Sequence, residues 1–568
     1  MTITGTAGSA EPADPIRPAE PTVLTRRVRY PHDSGALVRR LAEAGAIATT
    51  ADAAGSARRP VDVVLLESAD ITTGSSRTTV LMLEASARLT CEGNQVVIEA
   101  LDRARPDGEA AVARMRASLA DRVVEEAPGR LAVRIPSPAD SAGMEERERL
   151  TAPSTLEPLR VLASQEVDHP HLPLVAGVFA FDYLAGFEQL PQVSAGPNTC
   201  PDYLFYTARI LLVIDHPTGE ATLVGASVDA DDLARRIDEL ATVIDTARPA
   251  PAPDAGGPAP VAGGAGPVAV PAARPIARAV PSVSDSDFAG LVAGLQESIA
   301  AGDVYQVVPS RAFTIDCPDA LKAYRALRES NPSPYMFYVA APGFELLGAS
   351  PESALLHSAA TGEVAIRPIA GTRPRGLAPD GSVDHERDTR LELELRTDAK
   401  EIAEHVMLVD LARNDVARVS APGTRKVREL LRVDRYSRVM HLVSEVSGQL
   451  DPGLDALDAF RASMTMGTLT GAPKLRAAEL IRATEGMRRG SYGGSVGYLR
   501  GDGELDTCIV IRSAFVAGGR ALVQAGAGVV GASDPAAEAA ETVHKASAVL
   551  AAVAAARSAE LVIETGEA

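Results

Sequence analysis

The sequence predicts an α+β fold with largely antiparallel sheets and outer helices. Strand-like runs such as VDVVLLES and TCIVIRSAF occur among amphipathic helical stretches, without the regular strand and helix alternation of a doubly wound parallel sheet. The 568 residues are enough for several domains, and 46% hydrophobic with 23% charged residues is an ordinary globular balance. We therefore expect two folded units joined by a segment of different composition.

The order of these units follows from composition along the chain. Residues 1–24 are rich in Pro, Ala and Gly and are predicted to be a disordered tail. Residues 25–247 contain the strand-like runs VDVVLLES, QVVIEAL and ARILLVIDH and form the predicted N-terminal α+β unit. Residues 248–281 have the Pro, Gly and Ala content of a linker, without periodicity. Residues 282–560 form the second domain, which opens with the helical stretch SDFAGLVAGLQESIAAGD.

Charge and cysteine content exclude several classes of protein. A formal net charge of −19 argues against binding to nucleic acid or to an anionic membrane surface. The four cysteines lack CxxC or metal-site spacing, so we expect free thiols in a reducing compartment. The N-terminal residues lack signal-peptide features, and no apolar stretch is long enough to span a bilayer. A soluble cytoplasmic protein is the expectation.

Two pairs of glutamates stand out on segments with helical patterns. Glu401 and Glu404 lie in AKEIAEHVMLVD, and Glu538 and Glu541 lie in DPAAEAAETVHKA. Residues three apart share a helix face, so each pair forms a patch of two carboxylates. If the two helices meet, four carboxylates converge, which requires a divalent cation to neutralise them. This predicts a magnesium site and an anionic substrate.

A purely structural interpretation of both pairs is also open at this point. Asp398 can cap the first helix, with Glu401 completing a capping box. Asp534 can cap the second helix, and Glu541 can pair with Lys545 one turn later. On this interpretation each pair is a solvated helix face, which is the common location of charged residues. Other motifs have to decide between the two.

Two motif matches are rejected. EIAEH at 401–405 lacks the first histidine of the HxxEH zinc-protease motif. The run at 526–531 matches GxGxxG, but the βαβ context of a dinucleotide-binding fold is missing. The glycines are kept as backbone that can approach an anion closely.

An ordered set of motifs resembles the chorismate-utilising enzymes, and within them the anthranilate synthase component I family. In the first unit the similar segments are LLESAD, FAFDYLAGFEQLP and CPDYLFY. Those of the second unit are VYQVVPSR, NPSPYMFY, GASPES, RPIAGTRPRG, EIAEHVMLVDLARND, DRYSRVMHLVSEV, MTMGTLTGAPKLRA, RRGSYGGSVGYL, DTCIVIRSA, QAGAGVVGASDP and ETVHKA. The resemblance implies a lyase that aminates chorismate with ammonia, removes its 4-hydroxyl and eliminates pyruvate, giving anthranilate, in the first committed step of L-tryptophan biosynthesis.

The resemblance also assigns roles to the glutamates and to one histidine. It implies that Glu404 and Glu541 bind Mg²⁺ directly, while Glu401 and Glu538 support the ion through water. Hydroxide is a poor leaving group, so loss of the 4-hydroxyl needs a general acid, and His441 matches the family residue with that role. His405 and His544 are expected to be structural.

The substrate's carboxylates require cations and fixed hydrogen-bond donors. The residues that match this requirement, by chemistry or by resemblance, are Gly371, Thr372, Tyr492, Arg512, Gly526, Ala527, Gly528 and Lys545.

Three positions separate the reactions within the family. Isochorismate and salicylate synthases carry a lysine that activates water, whereas this chain has Gln306, which cannot act as that base. Aminodeoxychorismate synthases carry a nucleophilic lysine where this chain has Ala370. Thr468 also resembles the anthranilate-forming type. Anthranilate is therefore the predicted product.

Regulation and partners follow from the same resemblance. A tryptophan pocket for feedback inhibition is implied, which would make residues 25–247 a regulatory unit. The residues of this pocket would be Glu67, Ser68, Pro334, Tyr335, Met336 and Cys508. The alternative is that LLES is only a strand end and PYM only core packing. No cysteine lies in a GxCxG motif, so ammonia should come from a separate glutamine amidotransferase subunit, component II, in a heterotetramer. The rival functions are an aminodeoxyisochorismate synthase of secondary metabolism and a non-catalytic tryptophan-sensing subunit.

Overall fold

The computed structural model describes residues 21–51, 58–68, 78–136, 144–165, 167–246, 274–436 and 438–565. Most of the predicted tail and linker, residues 1–20 and 248–273, lies outside this part of the chain. So do the last two residues of the LLESAD motif.

Twelve α-helices occur in the described residues. They are α1 Ser34–Glu43, α2 Arg105–Ser118, α3 Glu146–Thr151, α4 Glu157–Ala163, α5 Ala230–Asp245, α6 Asp285–Ala300, α7 Ala320–Ser330, α8 His385–Thr397, α9 Ala399–Val419, α10 Ala456–Ser463, α11 Lys474–Glu485 and α12 Pro535–Ala556.

The same residues contain 27 strands. They are β1 Thr22–Val28, β2 Thr49–Ala51, β3 Arg58–Pro60, β4 Val63–Glu67, β5 Thr78–Glu92, β6 Gln95–Ala100, β7 Val123–Ala127, β8 Arg130–Arg134, β9 Leu174–Phe179, β10 Tyr203–Asp215, β11 Glu220–Ser227, β12 Ile276–Pro281, β13 Gln306–Val307, β14 Ser310–Asp316, β15 Tyr335–Ala341, β16 Phe344–Ser350, β17 Ser353–Ser358, β18 Glu363–Ile366, β19 Ile369–Pro374, β20 Lys426–Arg435, β21 Val439–Gln449, β22 Gly471–Ala472, β23 Ser495–Arg500, β24 Leu505–Ile509, β25 Ser513–Ala517, β26 Arg520–Gly526 and β27 Glu560–Ile563.

The described strands join almost entirely into one hydrogen-bonded network of 23 strands. Only the ribbons β2–β3 and β13–β22 lie apart from it. Every named strand pair in the described residues is antiparallel except β12 with β27, which is parallel. The predicted α+β fold with largely antiparallel sheets is therefore confirmed.

Strands from the two predicted units pair directly with each other. β4 of the N-terminal part pairs with β15, where Glu67 lies opposite Met336. β9 pairs with β23, where Gly177 lies opposite Gly497. The backbone links between N-terminal and C-terminal halves are therefore part of the sheet itself. Whether residues 25–247 act as a regulatory unit stays a prediction.

The margins of the predicted tail and linker are corrected. β1 begins at Thr22, inside the predicted tail, and pairs with β11. β12 occupies the last six positions of the predicted linker and pairs with β14 and β27. Its segment IARAVP alternates buried Ala277 and Ala279 with exposed side chains. Small residues in a Pro-rich context hid this two-residue period in the sequence.

Helices α9 and α12 position the two glutamate pairs. α9 packs Leu408, Val409 and Ala412 into the core, and α12 packs Val549 and Leu550. Both helices are anchored by apolar residues in later turns, which leaves their first two turns to carry the two glutamate pairs. No helix in the described ranges is long and apolar enough to cross a membrane.

Candidate functional site

The first turn of α9 is held by Asp398. Its carboxylate accepts hydrogen bonds from the backbone N–H groups of Lys400 at 3.0 Å and Glu401 at 3.2 Å, which confirms it as the cap. The Glu401 carboxylate contacts Arg373 Nη1 at 2.9 Å instead of turning back to the cap, so no capping box forms. A negative charge at a helix N-terminus is favoured by the helix dipole. Glu401 thus lies in the first turn but faces a cation of β19.

The first turn of α12 is built in the same way. Asp534 accepts a hydrogen bond from Ala537 N at 2.8 Å. The predicted pair of Glu541 with Lys545 is present at 2.7 Å, and Lys545 also donates to the carbonyl of Gly526 at 3.0 Å. Glu538 is buried, and its carboxylate lies 3.9 Å from Lys400 Nζ. Because Lys400 belongs to α9, the beginnings of the two helices meet.

Glu404 is the least compensated carboxylate of the four. Burial raises its pKa, Lys545 lowers it, and the neighbouring charges of Glu401 and Glu541 raise it further. Its carboxylate has no hydrogen bond or ion pair to any residue in the described ranges. Burial also raises the pKa of Glu538, whereas for Glu541 burial is outweighed by Lys545 and the pKa is lowered.

The four carboxylates fit an open magnesium site rather than a closed cage. Across the part of the chain that the structure describes, no three His, Cys, Asp or Glu side chains come close enough to enclose a metal ion by themselves. Mg²⁺ usually keeps several waters and binds only one or two protein carboxylates. Glu404, which has no hydrogen bond or ion pair among the described residues, and Glu541 fit that requirement. The direct role of these two residues stays a prediction.

A glycine loop lies opposite α9. A Cβ atom at Gly528 would lie 2.5 Å from Gln306 Nε2 and 3.6 Å from Glu404 Oε1, so any other residue here would displace the Gln306 amide. A Cβ at Gly526 would lie 2.7 Å from Pro309 O and 3.2 Å from Tyr492 Oη. The loop therefore brings the predicted residues 306, 404 and 492 together. The N–H of Ala527, between the two glycines, is already donated to Pro309 O at 3.1 Å.

Arg512 lies close to several ionisable groups of the site. Burial lowers its pKa, while Tyr492, Glu541 and Glu352 act on it in the opposite direction. Its backbone has φ of 49°, a left-handed conformation that is uncommon for a residue other than glycine. Such outliers occur at functional sites, where the surrounding structure holds them in place. The geometry is consistent with a fixed cation that receives a carboxylate.

His441 is held in a neutral form. It lies on β21 opposite Thr372, beside a bulge at Gly371, whose φ is +70°. Its Nδ1 lies 2.9 Å from Thr372 Oγ1 and 3.3 Å from the carbonyl of Gly371. Burial lowers the pKa of His441 to about 4. A carbonyl accepts only from a donor, so Nδ1 carries the proton and Nε2 is left as an acceptor.

Glu352, in the GASPES motif, was not identified from the sequence. It is 5% exposed and accepts a hydrogen bond from Thr468 Oγ1 at 2.8 Å. Burial raises its pKa to about 8, against opposing effects of Thr468, Ile369, Arg512 and Lys545. The side chain is therefore protonated near neutral pH and can donate a proton. Nothing in the sequence around it signals this burial, which arises from distant segments.

A separate cavity of about 120 Å³ lies between β4, β15 and β24. All six residues predicted to bind tryptophan line it, together with residues of other segments: Leu66, Glu67, Ser68, Thr78, Val80, His171, Leu174, Pro334, Tyr335, Met336, Val496, Gly497, Tyr498, Arg500, Asp506 and Cys508. The hydroxyl of Ser68 and one carboxylate oxygen of Asp506 are buried without a hydrogen bond among the described residues. Glu67 is instead bound by Tyr324 and Arg328, each at 2.8 Å.

The remaining predicted residues have simple surroundings. Ala370 lies on β19 opposite Leu442 and is 8% exposed. His405 is buried with Nε2 2.7 Å from Ser444 Oγ, as a structural histidine would be, and His544 is exposed on α12.

Known proteins resemble this chain over most of its length. The family model described as "chorismate binding enzyme" matches residues 126–551. The chain is 47% identical to anthranilate synthase component 1 of Vibrio cholerae over 87% of this chain and 91% of that protein. The corresponding protein of Escherichia coli K12 is also 47% identical, over 88% of this chain and 93% of that protein. The pyocyanine-specific anthranilate synthase component 1 of Pseudomonas aeruginosa is 46% identical over 87% of this chain and 90% of that protein.

Solved structures show the same fold. Anthranilate synthase component I of Streptococcus pneumoniae superimposes with a TM-score of 0.63 at 26% identity, covering 84% of this chain and 92% of that one. The menaquinone-specific isochorismate synthase of Escherichia coli has a TM-score of 0.59 at 17% identity, covering 94% and 95%, and so shows the fold alone.

Proposed function

Because the chain belongs to the chorismate-binding enzyme family, we propose that it converts chorismate and ammonia to anthranilate and pyruvate. One observation carries this proposal: the first turns of α9 and α12 meet beside Arg512, Lys545 and the glycine loop. That arrangement combines carboxylates for Mg²⁺ with cations for a substrate that itself bears carboxylates.

Mg²⁺ would be held by Glu404 and Glu541. When bound, the ion would supply a positive charge that binds the ring carboxylate and stabilises charge developing on it. The chain's own cations act on the same substrate. Arg512 offers two parallel N–H donors to a carboxylate. Tyr492 can donate from its hydroxyl, because burial raises its pKa to about 12 and keeps it protonated.

Removal of the 4-hydroxyl requires a proton, and two buried groups are available. His441 is neutral and its Nε2 is an acceptor, so it is suited to orient the substrate hydroxyl rather than to protonate it. Glu352 holds a proton near neutral pH and contacts Thr468. We therefore assign proton donation to Glu352, with Thr468 as the residue that orients its carboxyl group.

The nucleophile is inferred from two positions that carry no reactive side chain. Gln306 is buried beside Gly528 and has no basic group, so it cannot activate water. Ala370 cannot form a covalent bond to the ring. Ammonia is then the nucleophile, supplied by a glutamine amidotransferase partner or added as free ammonia.

L-Tryptophan is the proposed inhibitor, bound in the cavity between β4, β15 and β24. Two buried atoms, Ser68 Oγ and Asp506 Oδ1, have no hydrogen bond among the described residues. They are available for the amino and carboxylate groups of tryptophan. Sequence identity to relatives does not by itself assign the chain to tryptophan synthesis, because the pyocyanine-specific relative is nearly as similar, at 46% against 47%. The cavity is what favours tryptophan control.

The test is an assay of the purified chain with chorismate, MgCl₂ and an ammonium salt at high pH. Anthranilate is followed by its fluorescence and pyruvate by a coupled dehydrogenase, with and without L-tryptophan. Equal amounts of both products, lost on chelation of Mg²⁺, are expected. Release of an aminated intermediate without pyruvate would indicate the aminodeoxyisochorismate activity instead. Binding of tryptophan without any turnover would indicate a sensing subunit.

A further inference from the structure

β24 separates the tryptophan cavity from the substrate site. Asp506 and Cys508 line the cavity. The next residue, Ile509, points to the other face because successive side chains in a strand alternate. Its backbone N–H donates to the carbonyl of Glu352 at 3.1 Å. The strand that lines the inhibitor cavity therefore also holds the residue to which we assign proton donation.

A second backbone connection leads to the substrate cation. Met336 lines the cavity on β15 and lies opposite Ala349 of β16. The N–H of Ala349 donates to the carbonyl of Arg512 at 3.0 Å. Arg512 has the left-handed φ of 49°, so its position depends on such backbone contacts. Glu352 is thus one hydrogen bond from a strand that lines the cavity, and Arg512 is connected to another lining strand through β16.

Thr507 fixes the joint between β24 and β17. The pairing of these strands shifts between Ser353 and Leu355, where the ladder is irregular. Thr507 Oγ1 replaces the missing ladder bonds, accepting from Leu355 N at 3.1 Å and donating to Leu355 O at 2.9 Å. Thr507 is 2% exposed and is not among the residues lining the cavity. Its hydroxyl therefore keeps Glu352, just before the irregularity, in register with β24.

Ligand binding should strain this joint. The cavity volume of about 120 Å³ is close to the roughly 150 Å³ apolar cavity that holds benzene. The cavity is partly open to solvent, and an indole ring is larger than benzene, so an indole inserted between the lining strands would press on β24. Two-sided packing means that β24 cannot move without carrying Ile509 and its hydrogen bond to Glu352.

We propose that Thr507 is a positioning residue that couples tryptophan binding in this cavity to chorismate binding and turnover at Glu352 and Arg512. The inference rests on the proposed function. Tryptophan can change the conformation of the substrate site only if it binds two arrangements of the protein with different affinities. Thr507 makes those arrangements differ, because it prevents β24 from moving independently of β17.

The test compares Thr507→Val, which removes the hydroxyl, with the matched control Thr507→Ser, which keeps it. The chain contains no tryptophan residue, so the change in L-tryptophan fluorescence on binding can be titrated without indole emission from the protein. Its Kd is measured with and without saturating chorismate and without ammonia, so that no turnover occurs. The ratio of the two Kd values is the coupling, which by reciprocity equals the effect of tryptophan on chorismate affinity.

We expect coupling of about 5-fold to 150-fold in the unmodified protein and in Thr507→Ser, and below about twofold in Thr507→Val. The Kd for tryptophan alone should change less than about threefold in Thr507→Val. Full coupling in Thr507→Val overturns the proposal, and so does loss of tryptophan binding there with retention in Thr507→Ser.

Cys508→Ala gives an independent measurement if Thr507→Val does not fold. A larger cavity admits the indole with less movement, so the ratio of the two Kd values should fall whatever the change in the affinity for tryptophan itself. Unchanged coupling in this variant also overturns the proposal. An unmodified protein that neither binds nor converts chorismate would instead contradict the proposed function.

Discussion

Replacing Glu352 with glutamine removes a buried acid while preserving its shape. The amide oxygen can still accept the hydrogen bond from Thr468, which measures 2.8 Å to the carboxylate. An amide cannot release a proton at neutral pH. If Glu352 protonates the departing hydroxyl, kcat should fall by about 100-fold to 10,000-fold, the usual contribution of a positioned general acid.

The raised pKa of Glu352 gives the pH dependence of both activity and stability. With a pKa of about 8, about nine-tenths of the carboxyl groups hold a proton at pH 7, and activity measured at a fixed concentration of free NH₃ should decline above pH 8. In the unfolded chain the same group ionises near 4.5. The folded protein therefore binds the extra proton between these values, so this contribution to stability is complete below pH 4.5 and is lost as pH rises through 8. The whole difference is at most about 5 kcal/mol.

The assay combines anthranilate formation with urea denaturation from pH 5 to pH 9. Glu352→Gln should gain stability relative to the unmodified protein as pH rises. Glu345→Gln is the matched control, since burial also raises the pKa of Glu345, which contacts Tyr338 and Arg59 instead of the site. It should show a stability effect of the same sign without loss of kcat. A Glu352→Gln variant that keeps a tenth or more of kcat would refute the assignment.

Three further predictions concern the metal, the core and the nucleophile. Glu541→Gln should raise the Mg²⁺ concentration for half-maximal activity by at least about tenfold, with little change in Tm because its pair with Lys545 is partly exposed; an unchanged Mg²⁺ titration would remove Glu541 from the metal site. Asp415→Asn should cost about 3–5 kcal/mol in urea denaturation, because Lys474, which lies 2.7 Å from the carboxylate, loses its counter-charge and keeps the neutral acceptor Ser463 O at 3.0 Å; the double variant with Lys474→Met should recover most of this, and a loss below 1 kcal/mol would contradict the argument. Gln306→Lys should lower anthranilate formation at least about tenfold and yield a product of water addition, seen by chromatography; undiminished anthranilate would show that position 306 does not select ammonia.

The parts of the site predictable from sequence are those fixed by local geometry. Asp398 and Asp534 cap their helices as expected, and Glu541 pairs with Lys545 one turn later. These contacts depend only on helical spacing and on the orphan N–H groups of a first turn. The assignment of residues to the tryptophan cavity came from resemblance rather than spacing. All six residues line the cavity, although Glu67 is already bound by Tyr324 and Arg328.

The missed features depend on contacts between distant segments. Glu352 becomes an acid only because strands from elsewhere in the chain bury it. The left-handed φ of Arg512 has no sequence signal, since glycine normally marks such positions. The pairing of β4 with β15 joins residues about 270 positions apart, and period and composition do not report such pairing. Burial and long-range register are therefore what the structure adds.

Burial also distinguishes two roles of acidic residues at the N-terminal end of α9. Asp398 satisfies backbone N–H groups of α9 and contacts Arg373 of β19, so helix capping and one ion pair explain it. Glu404 lies one to two turns later, where burial and two neighbouring carboxylates all disfavour its charge. The helix dipole contributes only about 0.3–1 kcal/mol to such a group, which is less than the several kcal/mol of desolvating a carboxylate. Lys545 and Lys400 offset only part of this cost, since the pKa of Glu404 stays raised, and a bound cation would offset more of it.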